Sequence, residues 1–170
     1  NPPMRRTRVK ICGITQTDDA LAAVALGVDA IGLVFYPPSP RYVEPEQAAM
    51  ICAALPPFVT VVGLFVNTPR EELADTLRRV PIDTIQFHGN ECPDYCASFG
   101  RPYIKAVRMR PDVDLAQEHQ RYASAQGLLL DTYRPGIPGG TGASFDWNLV
   151  PDEWASRIIL AGGLDANNVA

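Results

Sequence analysis

Residues 8–36, RVKICGITQTDDALAAVALGVDAIGLVFY, decide the fold. Arg8–Ile14 is a short apolar strand. Thr17–Leu26 then sets Ala, Leu and Val at helical spacing, with Thr17 and Asp18 as candidate caps. Asp29–Tyr36 (DAIGLVFY) is again strand-like, and it is too continuously apolar to expose one face to water. Strand, helix and fully buried strand in succession make a βα unit of a parallel sheet.

The same switch of period repeats outward from this stretch. A Pro-rich loop, Pro37–Pro45, leads to a helix over Glu46–Leu55, a strand over Thr60–Val66, and a helix over Pro69–Val80 with Pro in its first turn. Strand Asp83–His88, short helix Pro93–Phe99, strand Tyr103–Met109 and helix Leu115–Ala123 follow. Gly127–Thr132 is the sixth strand, Arg134–Gly142 a Gly-rich loop, Phe145–Leu149 at most a short helix, and Arg157–Ala161 the seventh strand. A further helical start is expected at Asn167. Strict alternation with near-continuous apolar strands predicts an α/β protein whose parallel sheet is covered by helices. Seven such units without a dinucleotide-binding glycine fingerprint favour a (β/α)₈ TIM barrel over an open sheet. A full barrel takes about 200 residues or more. The expectation is therefore one domain over 1–170 that is incomplete at its C-terminal side, with the eighth strand and its flanking helices absent.

Composition narrows the function. The 170 residues are 46% hydrophobic and 20% charged, with net charge −4 and pI near 5.1. That balance disfavours a nucleic-acid partner, and Arg5, Arg6, Arg8 and Lys10 form only a short basic start. An acidic protein can still hold a phosphorylated small molecule through backbone N–H groups. Cys92 and Cys96 share the spacing of one helical face, but no His or Cys pair completes a zinc set around them. Four cysteines in this setting read as reduced thiols. With no signal-like apolar core and no apolar run of membrane length, the expected location is the cytoplasm, without membrane association. No metal and no cofactor are expected.

In βα-barrels the working residues lie at the C-terminal ends of strands and in the loops that follow. Those positions hold Cys12, Arg41 in the long second loop, His88, Asp131, the run Gly139-Gly140-Thr141-Gly142, and Gly162-Gly163. A thiol, a carboxylate and two Gly-rich loops suggest proton transfer on a phosphorylated small molecule.

Several of these segments form an ordered set. Lys10-Ile11-Cys12-Gly13, Gly32-Leu33-Val34-Phe35 with Ser39-Pro40-Arg41-Tyr42-Val43, Gly63-Leu64-Phe65-Val66, and Gln86-Phe87-His88-Gly89 come first. Leu130-Asp131, Gly139-Gly140-Thr141-Gly142 with Phe145-Asp146-Trp147, and Leu160-Ala161-Gly162-Gly163-Leu164 follow. Together, in this order and at strand ends, they resemble the signatures of the phosphoribosylanthranilate isomerases of tryptophan biosynthesis.

The resemblance implies an Amadori rearrangement of N-(5′-phosphoribosyl)anthranilate to 1-(o-carboxyphenylamino)-1-deoxyribulose 5-phosphate. It implies Asp131 as the general acid on the furanose oxygen and Cys12 as the general base at C2′. Asp131 must then be held protonated, and Cys12 must lose its proton more readily than a free thiol. Lys10 shares a strand face with Cys12 but sits about 7 Å back, so the activator of the thiol stays open. Arg41 suits the anthranilate carboxylate through its planar fork, and His88 lines the mouth or satisfies a core hydrogen bond. Gly162 and Gly163 would form part of a phosphate cradle, and Gly140 belongs either to that cradle or to a mobile loop closing over the site. The family's second phosphate loop, a Ser-Gly pair after strand eight, is not matched in this chain. The competing assignments are a histidine-pathway sugar isomerase, expected to use two Asp residues, and indoleglycerol-phosphate synthase, expected to use Lys and Glu. A non-catalytic barrel fragment is the reading from another class. Monomer and homodimer are both compatible with the sequence.

Overall fold

The structure, a computed structural model, describes residues 6–132 and 150–169. Its backbone contacts divide the chain into two compact units, Asn1–Gln86 and Phe87–Ala170.

In the first unit, strands β1 (Lys10–Cys12), β2 (Ala30–Val34) and β3 (Thr60–Phe65) pair side by side in parallel, in chain order. The register sets Cys12 opposite Gly32 and Gly32 opposite Val62. Helices α1 (Thr17–Ala25), α2 (Pro45–Ala54) and α3 (Arg70–Arg79) connect them and lead to β4 (Thr84–Phe87), which ends at the boundary. Ile31, Leu33, Ile51, Val62, Phe65 and Leu73 are buried, as strands covered on both faces require. Phe35 and Phe65 stack at 5.3 Å between ring centroids.

Two aspartates stitch the starts of these strands. Asp29 donates its amide to the Val9 carbonyl (2.9 Å) and accepts the Val9 amide on its carboxylate (2.8 Å). Asp83 repeats the exchange with Val61, at 2.9 and 2.8 Å. Arg6 pairs with the Asp29 carboxylate from outside, and this partner holds Asp29 down to about pKa 2.

In the second unit, β5 (Tyr103–Met109), β6 (Gly127–Thr132) and β7 (Ile158–Ala161) are again parallel neighbours in chain order. Helix α4 (Pro93–Ala97) precedes β5, helix α5 (Leu115–Arg121) precedes β6, and a 3₁₀ turn over Asp152–Arg157 precedes β7. Ile104, Ala106 and Leu129 form a core with Ile159 and Ala161 packed against it. Phe87 meets Tyr95, Phe99 and Tyr103 edge-on or tilted, at 5.7–6.1 Å.

The alternation expected from the sequence is present, and β5 and β6 match it residue for residue. The differences lie at element ends: β1, β2 and β4 are shorter than the expected Arg8–Ile14, Asp29–Tyr36 and Asp83–His88, so that His88 falls just past its strand, and several helix ends shift. Helix α1 begins at Thr17 with Gln16 at the cap position and no side-chain cap bond, so Thr17 and Asp18 are inside the first turn. Pro69 precedes α3 as its cap, and Pro45, expected in the loop, is the first residue of α2. In both cases a fixed φ suits the helix entrance. Asp114 is a true cap, accepting the Gln117 amide at 3.2 Å. The 3₁₀ turn at Asp152–Arg157 is additional. Asn167 lies in a single turn closed by the Val169 amide on the Asp165 carbonyl. The expected loop over 134–142 and short helix over 145–149 lie outside the described residues.

Candidate active site

The site is built from strand ends, starting with β1. Cys12 is the last residue of β1, and the chain turns away at once through Gly13, whose φ of +85° suits glycine. The Gly13 and Ile14 amides both donate to the Gly32 carbonyl, at 2.9 and 3.1 Å. A Cβ on Gly32 would stand 2.9 Å from Cys12 Sγ and 3.1 Å from Cys12 Cα. The thiol therefore occupies room that only glycine leaves open. A Cβ on Gly13 would meet the Arg41 side chain at 2.5 Å.

Arg41 reaches that point from the loop after β2. The Tyr36–Tyr42 segment is closed by Ser39 and Tyr42 amides on the Tyr36 and Ser39 carbonyls, and the Arg41 amide donates to Ser39 Oγ at 3.2 Å. Arg41 Nη1 donates to the Cys12 carbonyl at 2.9 Å, which lays a guanidinium along the backbone of the thiol residue. Lys10 Nζ instead donates to Gln86 Oε1 at 2.8 Å. Cys12 is half-buried and Arg41 is exposed.

In the second unit, His88 follows β4 directly and Asp131 is the penultimate residue of β6, opposite Arg108 and Ala161. His88 Nε2 lies 3.1 Å from Asp131 Oδ2, and both side chains are partly shielded, at 19% and 28% exposure. Which atom holds the proton follows the imidazole tautomer. Gly162 and Gly163 leave β7 at φ +79° and +66°, and the Gly163 carbonyl accepts from Asn168 Nδ2 at 2.7 Å. Gly140 lies outside the described residues.

The fold thus brings Arg41 onto Cys12 and His88 onto Asp131. A hollow of about 170 Å³ in the first unit, bordered by Phe35, Tyr42, Phe65, Thr76 and Arg79 among others, includes none of the expected site residues.

Four residues have roles that the reading of the sequence did not assign. Gly13 and Gly32 make the room for Arg41 and Cys12, and a glycine inside or just after a strand was their signal. Glu91 and Lys105 are the other two, buried at 6% and 5% exposure beside the His88 loop. Their signal was a lysine inside the buried stretch Tyr103–Val107, whose other residues are Tyr, Ile, Ala and Val.

Comparisons with known proteins give the family. The family model described as N-(5′-phosphoribosyl)anthranilate (PRA) isomerase matches residues 9–170. The chain is 60% identical over 166 residues to an N-(5′-phosphoribosyl)anthranilate isomerase of Pseudomonas putida, covering 98% of this chain and 81% of that protein. A crystal structure of phosphoribosyl anthranilate isomerase from Thermotoga maritima is similar with a TM-score of 0.86 and 41% identity, covering 96% of this chain and 80% of that one. A second isomerase structure, in complex with reduced 1-(o-carboxyphenylamino)-1-deoxyribulose 5-phosphate, is similar with a TM-score of 0.81 and 39% identity, covering 96% and 79%. The α/β organisation of TIM-barrel type expected from the sequence is the fold shared with these structures. On the family match along nearly its whole length and the identity to these relatives, the chain belongs to the phosphoribosylanthranilate isomerase family.

Proposed function

We propose that this chain isomerises N-(5′-phosphoribosyl)anthranilate in tryptophan biosynthesis by proton transfer, with Asp131 as general acid and Cys12 as general base. The observation that carries the reading is the position of these two residues at the C-terminal ends of β6 and β1, where barrel enzymes hold their chemistry. Asp131 gives a proton to the furanose oxygen as the C1′–O bond breaks and the anilino nitrogen forms a C=N bond to C1′. The Cys12 thiolate takes the C2′ proton, the released electron pair forms C1′=C2′, and the iminium nitrogen is neutralised. The resulting enolamine tautomerises: the C2′ hydroxyl gives up its proton and C1′ gains one. Atoms and charge balance, and no electron acceptor is involved.

His88 supports the acid step as the hydrogen-bond partner of Asp131, its Nε2 lying 3.1 Å from Oδ2. Arg41, exposed in its loop, is available to the substrate carboxylate and also brings positive charge beside the Cys12 residue. The phosphate belongs with Gly162 and Gly163, supported by their left-handed backbone at the end of β7, and with the run containing Gly140.

Residues 1–170 are read as a single βα-barrel domain, supported by β-α alternation in both units. The partner is a phosphorylated small molecule, with no nucleic acid and no membrane, and the protein works as a monomer or homodimer. Four unpaired thiols support a reducing cytoplasm.

The test is the decay of phosphoribosylanthranilate fluorescence, with substrate generated in situ, on adding purified protein. Wild type should accelerate the decay. Cys12→Ser and Asp131→Asn should each lower kcat about 10²–10⁴-fold with the fold retained. Turnover at the wild-type rate in either variant removes that residue from the mechanism.

A further inference from the structure

The residue after His88 is held through both of its backbone groups. The Gly89 amide donates to Glu91 Oε1 at 2.9 Å, and the Gly89 carbonyl accepts from Lys105 Nζ at 2.7 Å. Lys105 Nζ also donates to the Ala106 carbonyl at 2.9 Å and lies 4.0 Å from Glu91 Oε1. Behind them the Tyr122 hydroxyl donates to the Glu91 carbonyl at 2.6 Å, and the Tyr122 ring lies under the ammonium at 5.4 Å. Both charged side chains are almost fully removed from water, at 6% and 2% side-chain exposure for Lys105 and Glu91.

Burying two charges is a poor way to stabilise a fold. The hydration lost exceeds what the attraction between them dependably returns, and apolar residues of similar volume often serve as well or better. Burial also draws the Lys105 pKa down, with Glu91 opposing it. What a charged pair can do here, and an apolar pair cannot, is hold both peptide groups of Gly89. We propose that Glu91 and Lys105 are positioning residues for the isomerase: their clamp on Gly89 sets the direction in which His88 leaves β4 and so keeps Nε2 on Asp131. Gly89 has no side chain through which the core could fix it, and the imidazole hangs from the adjacent residue. A small rotation of that peptide would swing the ring off the carboxylate. The kinetic part of this inference rests on Asp131 being the acid; the geometric part does not.

The test is the double variant Glu91→Leu/Lys105→Met, which removes both charges together and retains the volume. The chain has two histidines, His88 and His119, so their ring ¹⁵N resonances can be assigned with His119→Gln. In the double variant the His88 Nε2 resonance should move to its position in Asp131→Ala, with His119 unmoved. kcat should fall about 10²-fold, the scale expected for misplacing a reacting group, with a smaller change in KM. A folded double variant with an unmoved His88 resonance and full kcat overturns the proposal. Glu91→Gln provides the second arm, since its amide oxygen can still accept from Gly89. It should keep the His88 resonance and most of the turnover; a loss equal to that of the double variant would mean that charge, not the clamp, is what matters. Wild-type turnover in Asp131→Asn would sink the acid assignment, yet the resonance shift would still report on the clamp.

Discussion

Cys12 and Asp131 sit at comparable strand ends but are held by opposite means. Around Cys12 the first unit uses absence: Gly32 leaves space for the thiol and Gly13 leaves space for Arg41. Around the His88–Asp131 pair the second unit uses buried charge, with Glu91 and Lys105 fastened to the peptide groups of Gly89. Positioning by room tolerates no added atom but is indifferent to the ionisation of its surroundings. Positioning by charge tolerates changes of shape but not the loss of one partner alone.

The largest effect should come from breaking the charged side unevenly. Lys105→Met leaves the Glu91 carboxylate buried without its cation, which should destabilise the protein by about 3–5 kcal/mol and lower Tm by roughly 10 °C. Thermal denaturation checks this directly. Cys96 serves as a reporter of the same region. It is buried against the Glu91 carbonyl and its thiol is pushed up to about 12 by burial, so it should resist iodoacetamide in wild type and become alkylated in Lys105→Met. A Tm equal to wild type would place the clamp's two charges outside the stability of the second unit.

The steric side should respond to a single methyl group. Gly32→Ala forces its Cβ against the Cys12 backbone and thiol, which should cost about 1–3 kcal/mol and lower kcat. Gly13→Ala differs, because the obstructing atoms belong to a flexible side chain that can move away. The strained φ should cost about 1–2 kcal/mol, and displacement of Arg41 should appear mainly as a raised KM. Equal kinetic effects from the two variants would erase the distinction between them.

The smallest effect belongs to the opposite ends of the strands. Asp29 is held at about pKa 2, below its ordinary 3.8, chiefly by the hydrogen bond from Arg6. Above the ordinary value both folded and unfolded chains carry the charge, and the stabilisation is complete. As pH falls below it the unfolded chain takes up the proton first, and the stabilisation is lost by the time pH reaches the folded value. Arg6→Ala should therefore shift acid unfolding slightly toward higher pH and leave turnover at neutral pH unchanged, since this end of the strands is remote from their C-terminal tips. A changed kcat at pH 7 would contradict that division.

Much of this was legible in residue order. Continuous apolar runs such as Asp29–Tyr36 announce strands buried on both faces, because no other short segment can bury every side chain in turn. The strands over Tyr103–Met109 and Gly127–Thr132 were bounded to the residue. Helix entrances were less legible: Pro45, Pro69 and Thr17 each lie one position from where local preference puts them, since a cap depends on which amides the neighbouring chain leaves open. The identity of Cys12, Arg41, His88 and Asp131 as site candidates also came from the sequence, through their places at strand ends. What only the tertiary structure decided was who holds whom. Arg41 meets Cys12 across 29 positions of chain, and His88 meets Asp131 across 43. Lys105 reaches Gly89 across 16 positions, from inside a strand whose composition gives it no visible partner. Pattern and propensity are local, whereas a hydrogen bond between distant residues exists only once the backbone has brought its ends together.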